Sequence, residues 1–393
     1  MSIVSSPEHS PPRRSRDLDI FRGVAVVIVL GRHLFFLPHD LPMPVDLFFK
    51  TWIRCGWAGV DLFFVLSGFL VSGLLFREFT QHGNLRISRF FIRRGFKIYP
   101  AFYVFLLTSI IVLYVIKRPP PARGILGETF FLQNYVGGLF NQTWSLAVEE
   151  HFYLLLGMTI WLLSQRHGTA EPLGLIPAIF LVVAASVFAA RCYFVSSVDP
   201  WKMMFATHFR IDSLFFGVWL SYLYHFRHDQ LVSFVKTHRR TLRVVSLMAI
   251  APCLFLPVER SIFMRTAGFT LLYVGFGGLL MTTLVAPPAR HNIFGRSLAF
   301  IGLYSYSIYL WHGYFLSAGN YLSRVLHLPV PFALHLFIYL TGAVYGGAFI
   351  AKLIEVPMLR FRDRHFLSRA RNDAGLHLPS LALQPGDRAR DTR

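Results

Sequence analysis

The chain has 393 residues, of which 54% are hydrophobic and 15% charged, and its mean hydropathy is +0.49. Soluble domains carry about a quarter charged residues, so this composition excludes an ordinary soluble protein and points to membrane-spanning helices in a lipid bilayer. The net charge of +19 would suggest nucleic acid in a soluble protein. Here it sits mostly between apolar runs, where it reads as topology and contact with anionic lipid, and no nucleic-acid partner is expected.

Residues 1–17 form a polar, basic segment with Arg13, Arg14 and Arg16, followed by an apolar run without a small-residue cleavage site. That run reads as a retained first span. A span needs about 20 apolar residues. About ten candidates follow, at 18–37, 57–76, 98–116, 143–163, 174–195, 206–224, 242–257, 263–285, 297–316 and 332–354. The seventh is interrupted by Pro252 and Pro257. The predicted fold is therefore an all-α polytopic membrane protein with one transmembrane domain over 18–361 and a polar tail over 362–393, expected to be disordered and cytoplasmic. No extra soluble domain is expected in that tail. There is no internal repeat of the kind many transporters show.

Basic residues crowd 77–97, 225–241 and the C-terminal flank around Arg360, Arg362 and Arg364, whereas 38–56 and 317–331 are poorer. The loop at 117–141, with Lys117, Arg118 and Arg123, departs in part from this alternation. With ten spans the basic segments and the N-terminus share one side, which places both termini in the cytoplasm. The cysteines Cys55, Cys192 and Cys253 are far apart and make neither a disulfide framework nor a metal site, so no metal is expected.

Ionisable groups inside spans are costly and mark function or pairing. Arg22 and His33 flank ten residues of the first span. Eleven helical steps bring them to one face about 16 Å apart along the axis, Arg22 near the cytoplasmic end. The fourth span enters from outside through Trp144-Ser-Leu-Ala-Val-Glu149-Glu150-His-Phe-Tyr153. Glu149 is then at a depth comparable to His33, and the two suit a base-and-orienter pair. Asp61, at the start of the second span, is another candidate partner or a helix cap. Glu149 or Glu150 can alternatively pair with Arg191 or Arg210 to hold helices together. Ser67 reads as a packing residue beside Gly68, which signals close helix approach. Arg93 and Arg94, just before Tyr99-Pro100, suit the phosphates of an acyl-coenzyme A. Their plain alternative is topological anchoring.

These motifs, taken in order, resemble the acyltransferase-3 family of membrane proteins from about residue 17 to about 361. The first is Leu18-Asp19-Ile-Phe-Arg22-Gly23 with His33, similar to the family's Arg-x10-His signature, although Ile20 stands where glycine is frequent. Next come Gly59-Val-Asp61-Leu-Phe-Phe-Val-Leu-Ser67-Gly68, then Arg89-Phe-Phe-Ile-Arg93-Arg94 with Tyr99-Pro100, and then Trp144-Ser145-Leu146 with Glu149-Glu150 and Phe152-Tyr153. Phe209-Arg210-Ile-Asp212, Ser305-Tyr306-Ser307-Ile-Tyr309-Leu310-Trp311-His312 and Glu355-Val-Pro357 complete the set. The resemblance is to the stand-alone branch, without the hydrolase-like domain many relatives carry.

The resemblance implies O-acylation. An acyl group, typically acetyl, moves from cytoplasmic acyl-CoA to a hydroxyl of a glycan or glycosylated acceptor, such as a cell-surface polysaccharide, in a bacterial inner membrane. Carried over residue by residue, it implies catalysis by His33 with Glu149, and donor binding by Arg22, Arg93 and Arg94. Asp61, Glu150, Arg210 and His312 are supporting candidates. His33 either deprotonates the acceptor hydroxyl or takes the acyl group transiently. A rival assignment puts the chemistry at His312. A different class of reading is a transporter, a flippase or an accessory subunit that moves a glycan or lipid without acyl transfer.

Overall fold

The structure is a computed structural model and describes residues 16–38, 40–166, 171–286, 292–328 and 330–366. Every regular element among them is helical. Of the segments expected at 1–17 and 362–393, residues 16–17 open the first helix and 362–365 end the last, and residues 1–15 and 367–393 lie outside the described residues.

Helix α1 (Arg16–Arg32) has Asp17 and Asp19 in its first turn and Arg32 in its last, the charge order that a helix dipole favours. The span expected to reach residue 37 stops at Arg32, and His33 is the first residue of the turn beyond it. Helices α2 (Met43–Cys55) and α3 (Ala58–His82) follow. Gly83 ends α3 in the left-handed conformation (φ 68°), with its N–H on the Phe79 carbonyl. Helix α4 (Ile87–Val115) starts eleven residues before the span expected at 98 and takes the arginine-rich segment into the helix.

Helices α5 (Ala122–Thr129) and α6 (Gln133–Val136) lie in the connection to α7 (Trp144–Ser164). Then come α8 (Ile176–Phe194), α9 (Pro200–Phe205), α10 (Ile211–Phe226), α11 (His228–Thr237), α12 (Arg239–Ile250) and α13 (Pro252–Phe255). Helix α12 stops short of Pro252, as the proline interruption predicts. A π-helical turn at Met264–Gly268 opens α14 (Phe269–Leu284), followed by α15 (Ile293–Leu303) and α16 (Ser305–Leu326). The last helical segment comprises α17 (Phe332–Thr341), α18 (Gly347–Ile350) and α19 (Val356–His365), joined through π-helical turns at Gly342–Gly346 and Ala351–Glu355.

Six described segments are long and apolar enough to cross a membrane: Ala58–His82, Ile87–Val115, Asn141–Ser164, Ile176–Phe194, Met264–Leu284 and Phe332–His365. The other four expected spans fall on shorter or more polar helices. Helix α1 has 17 residues, α10 has 16 and α12 has 12. The ninth crosses from α15 into α16, whose 22 residues include His312, Asn320 and Arg324.

Two glycine contacts set how the central helices lie. A Cβ at Gly68 of α3 would overlap the carbonyl oxygen of Leu214 in α10, and one at Gly217 of α10 would overlap that of Val65. Likewise a Cβ at Gly23 of α1 would overlap the Leu298 carbonyl of α15, and one at Gly302 the Asp19 carbonyl. Backbones this close are the small-residue packing of membrane helices. The first contact seats Ser67 and the second seats Arg22.

Candidate functional site

Two cavities lie among helices α1, α3, α7 and α16, the first also walled by α4 and the second by α9. The first is lined by Arg22 of α1, Ser67 of α3, Arg94 and Lys97 of α4, Glu149, Glu150 and Tyr153 of α7, and Ser305 and Tyr306 of α16. The second, of about 440 Å³, is lined by Arg32, His33, Trp57, Asn141, Gln142, Trp144, Trp201 and Phe205, with Phe35 and Met204. Val60 and Tyr309 line both. Arg22, inside α1, and His33, just past its C-terminal end, thus line different chambers.

In the first cavity Glu149 accepts hydrogen bonds from Ser67 Oγ (3.1 Å) and Tyr153 OH (2.5 Å). The residues at 149 and 153 are one turn apart on α7, so they share a face. The Arg94 guanidinium lies 4.2 Å from the centre of the Tyr153 ring, in cation–π contact. Its Nε is buried without a hydrogen-bond partner. Lys97, three residues on and therefore on the same face of α4, pairs with Glu355 at 2.6 Å. Glu355 lies in the π-helical turn Ala351–Glu355 and also accepts from Ser307. Glu150 accepts from Tyr99 OH at 2.9 Å, and its other oxygen is buried and unpartnered.

In the second cavity the His33 ring lies 4.7 Å from that of His312, tilted by 53°. His312 is buried. Its Nδ1 is 2.5 Å from the Tyr309 carbonyl. A carbonyl only accepts, so Nδ1 carries the hydrogen, and in the neutral ring Nε2 keeps the lone pair. Trp144 stacks on Phe205 at 5.0 Å. Arg32 bonds to Glu259 and lies 5.7 Å from the Trp201 ring.

The residues singled out in the sequence therefore divide. Arg22, Arg94, Glu149 and Glu150 meet at one cavity, while His33 lines the other with His312 buried beside its ring. The expected hydrogen-bond partnership of Glu149 with His33 is not what the side chains make. The Glu149 carboxylate is engaged by Ser67 and Tyr153, and the imidazole next to His33 is His312. Arg93 does not line the cavity. Adjacent residues on a helix point about 100° apart. Arg93 instead bonds Asp363 (3.2 Å) and the Phe366 carbonyl, tying α4 to α19.

Asp61 and Arg210 form an ion pair at 2.7 Å, and Arg191 and Asp212 another at 2.5 Å, all four fully buried. The alternative in which Arg191 or Arg210 pairs with Glu149 or Glu150 is thereby replaced, because each arginine already has an aspartate. Phe269 lies 4.1 Å from the Arg210 guanidinium and 5.1 Å from that of Arg191. Arg210 also donates to the Met204 carbonyl (3.0 Å) and packs on Trp144 (5.4 Å). The charge quartet thus braces one wall of the second cavity.

Glu128, outside the spans, holds the loop that carries Asn141 and Gln142. It accepts from the N–H groups of Leu139 (2.9 Å) and Phe140 (3.3 Å) and from Thr143 Oγ (2.9 Å). Burial pushes its carboxyl above the usual range, against the pull of those donors.

Sequence reasoning gave no site role to Ser67, Lys97, Tyr153 or Glu355. The spacing of Lys97 from Arg94 and of Tyr153 from Glu149 was the available signal. Among the described residues, no group of three or more His, Cys, Asp or Glu could hold a metal ion.

The sequence family described as an acyltransferase domain matches residues 15–352. The peptidoglycan O-acetyltransferase OatA of Listeria monocytogenes is 27% identical over 319 residues, 75% of this chain and 48% of that protein. The O-acetyltransferase OatA of Staphylococcus aureus is 27% identical over 325 residues, 77% of this chain and 50% of its own length. The putative peptidoglycan O-acetyltransferase YrhL of Bacillus subtilis is 24% identical over 318 residues, 75% of this chain and 47% of its own. The chain spans about half the length of these curated relatives. No solved structure matches. With its motifs in order and most of its length matched, the chain belongs to the acyltransferase-3 family of multi-pass membrane acyltransferases.

Proposed function

We propose that this chain moves an acetyl group from acyl-coenzyme A, held at the Arg22–Arg94–Lys97 cavity, to a hydroxyl of a glycan held at the His33 cavity. One observation carries the reading: a chamber lined by three basic side chains and two carboxylates, and a histidine-and-aromatic-lined chamber, abut at a wall shared by two residues. Cations suit the phosphates of coenzyme A, and the unpartnered Arg94 Nε is a donor that such an anion satisfies. Trp144, Trp201 and Trp57, beside the amides of Asn141 and Gln142, offer apolar faces and paired donors and acceptors to a sugar ring.

In this reading His33 accepts the proton of the acceptor hydroxyl or carries the acyl group briefly. His312 sets the His33 ring, while Glu149 acts on the donor side through Ser67 and Tyr153. The names of the relatives make peptidoglycan the first acceptor to try. Ten spans, cytoplasmic termini and the inner membrane of a bacterium belong to the same proposal. The arginine cavity then opens toward the cytoplasm and the His33 cavity toward the outside.

The test is calorimetry of acetyl-coenzyme A on the purified protein in detergent. The reading expects saturable binding, weakened about tenfold to a hundredfold by Arg22→Ala or Arg94→Ala, as for loss of a charge-assisted bond, and largely kept by His33→Ala. Folded protein that binds no acyl-coenzyme A of any chain length would instead favour a transporter or an accessory subunit.

A further inference from the structure

Val60 and Tyr309 are the two residues that line both cavities, and both are buried. The Tyr309 side chain is held in place at its tip. Its hydroxyl donates to the Gln142 carbonyl at 2.5 Å. That uses its one hydrogen, so Ser145 Oγ, 2.7 Å away, donates to the Tyr309 oxygen. Phe63 packs on the ring at 6.2 Å, edge to face. The backbone carbonyl of Tyr309 orients His312, which touches His33. One residue thus joins the wall between the chambers to the Gln142 loop on one side and to the imidazoles on the other.

A thioester can pass its acyl group to a sugar hydroxyl or to water. In either case the C–S bond breaks, a C–O bond forms, and the proton of the attacking hydroxyl ends on the thiol sulfur. A second cavity of about 440 Å³ has room for many waters, each needing roughly 10–15 Å³ by the same measure. An enzyme with this layout loses its donor to hydrolysis unless that water is kept from the thioester.

We propose that Tyr309 is the specificity-determining residue that selects the acceptor hydroxyl over water. Pinned by Gln142 and Ser145, it closes the wall with Val60 until an acceptor occupies the His33 cavity. This rests on the assignment of the two cavities as donor and acceptor sites.

The test compares Tyr309→Phe, which keeps the ring and loses both hydroxyl ties, with Tyr309→Ala, which removes the wall. Free coenzyme A and acetylated glycan are measured together on the purified full chain, using acetyl-coenzyme A and peptidoglycan-derived glycan strands. The expected result is a ratio of hydrolysis to transfer that rises at least about tenfold in Tyr309→Ala and by less in Tyr309→Phe. A second readout needs no turnover. Ser67→Cys, in a chain with Cys55, Cys192 and Cys253 replaced by Ala, is exposed to a charged thiol reagent on the His33 face of proteoliposomes. Labelling should be slow with Tyr309 and at least about tenfold faster with Tyr309→Ala. If wild-type protein transfers acetyl and neither the ratio nor the labelling changes, the role of Tyr309 is overturned and the two-site reading stands. If wild-type protein consumes no acetyl-coenzyme A, with or without glycan, the two-site reading falls, and the role of Tyr309 in acceptor choice with it.

Discussion

The imidazoles of His33 and His312 lie 4.7 Å apart, and His312 is locked through Nδ1 to the carbonyl of Tyr309, three residues earlier on its own helix. Two residues that sequence reasoning sets against each other as rival catalysts are neighbours. The fixed ring, buried and hydrogen-bonded, is suited to positioning. The half-buried one, facing the open cavity, is suited to the chemistry.

This gives a prediction for the pair. His33→Ala should lower acetyl transfer by about 10²–10⁴-fold, the range of a lost general base. His312→Ala should cost less, and the double variant no more than His33→Ala alone, because residues that act as a unit are not additive. Steady-state transfer rates of the three variants, checked for folding by gel filtration, decide it. Full activity of His33→Ala with loss only in His312→Ala would reverse the roles.

The quartet of Asp61, Arg210, Arg191 and Asp212 should behave as a buried network. Asp61→Asn leaves the Arg210 charge uncompensated and should destabilise by about 3–5 kcal/mol. Replacing both partners by apolar residues, as in Asp61→Leu with Arg210→Met, should cost less than either single change. Thermal unfolding in detergent measures both. A double variant less stable than each single one would contradict the pairing.

The helix crossing at Gly68 and Gly217 predicts intolerance of the smallest side chain. Gly68→Ala places a methyl against a backbone carbonyl rather than a flexible side chain, so helix α3 or α10 must shift. A cost of about 1–3 kcal/mol is expected, with reduced acetyl transfer because Ser67 moves with the helix. Unfolding temperature and transfer rate measured on one preparation test it; wild-type values for both would show that the helices separate freely.

Glu128 predicts a pH dependence. Its carboxyl is raised in the folded protein, so the folded state holds a proton at pH values where the unfolded chain has lost it. The stability this adds is fully present below the ordinary carboxylate range and is lost as pH rises through the raised value. Glu128→Gln keeps an acceptor oxygen for Leu139, Phe140 and Thr143 and cannot ionise. It should flatten that slope, while Glu128→Ala should weaken binding of the acceptor by loosening the Gln142 loop. Unfolding temperatures between pH 4 and 8 report the first effect, and the glycan concentration needed for half-maximal transfer reports the second. An unchanged slope in Glu128→Gln would assign it to another group.

What the sequence made legible followed local pattern. The apolar runs gave the all-helical membrane class, and ordered short motifs drew attention to Arg22, His33, Arg94 and Glu149. Gly68 was legible as a site of close helix approach. The partnership of Lys97 with Glu355 joins residues 258 positions apart and has no local signature. The same holds for the wall made by Val60 and Tyr309, which exists only once α3 and α16 pack together. The His33–Glu149 pairing came from equal depth in the bilayer, and depth does not say which way a side chain turns. The arginine segment read as a loop because charge marks loops in membrane proteins. It is helical, since arginine is a good helix former and the stretch from Ile87 to Lys97 lacks proline.

In the proposed two-site mechanism donor and acceptor meet across the Val60–Tyr309 wall from opposite sides of the membrane. The most direct measurement uses oriented proteoliposomes with acetyl-coenzyme A on the Arg22 face and a glycan acceptor on the His33 face, and counts acetylated glycan over time. Acetylation that requires the donor on the Arg22 face, and disappears in His33→Ala, is the predicted result. Acetylation only when donor and acceptor are on the same face would contradict it.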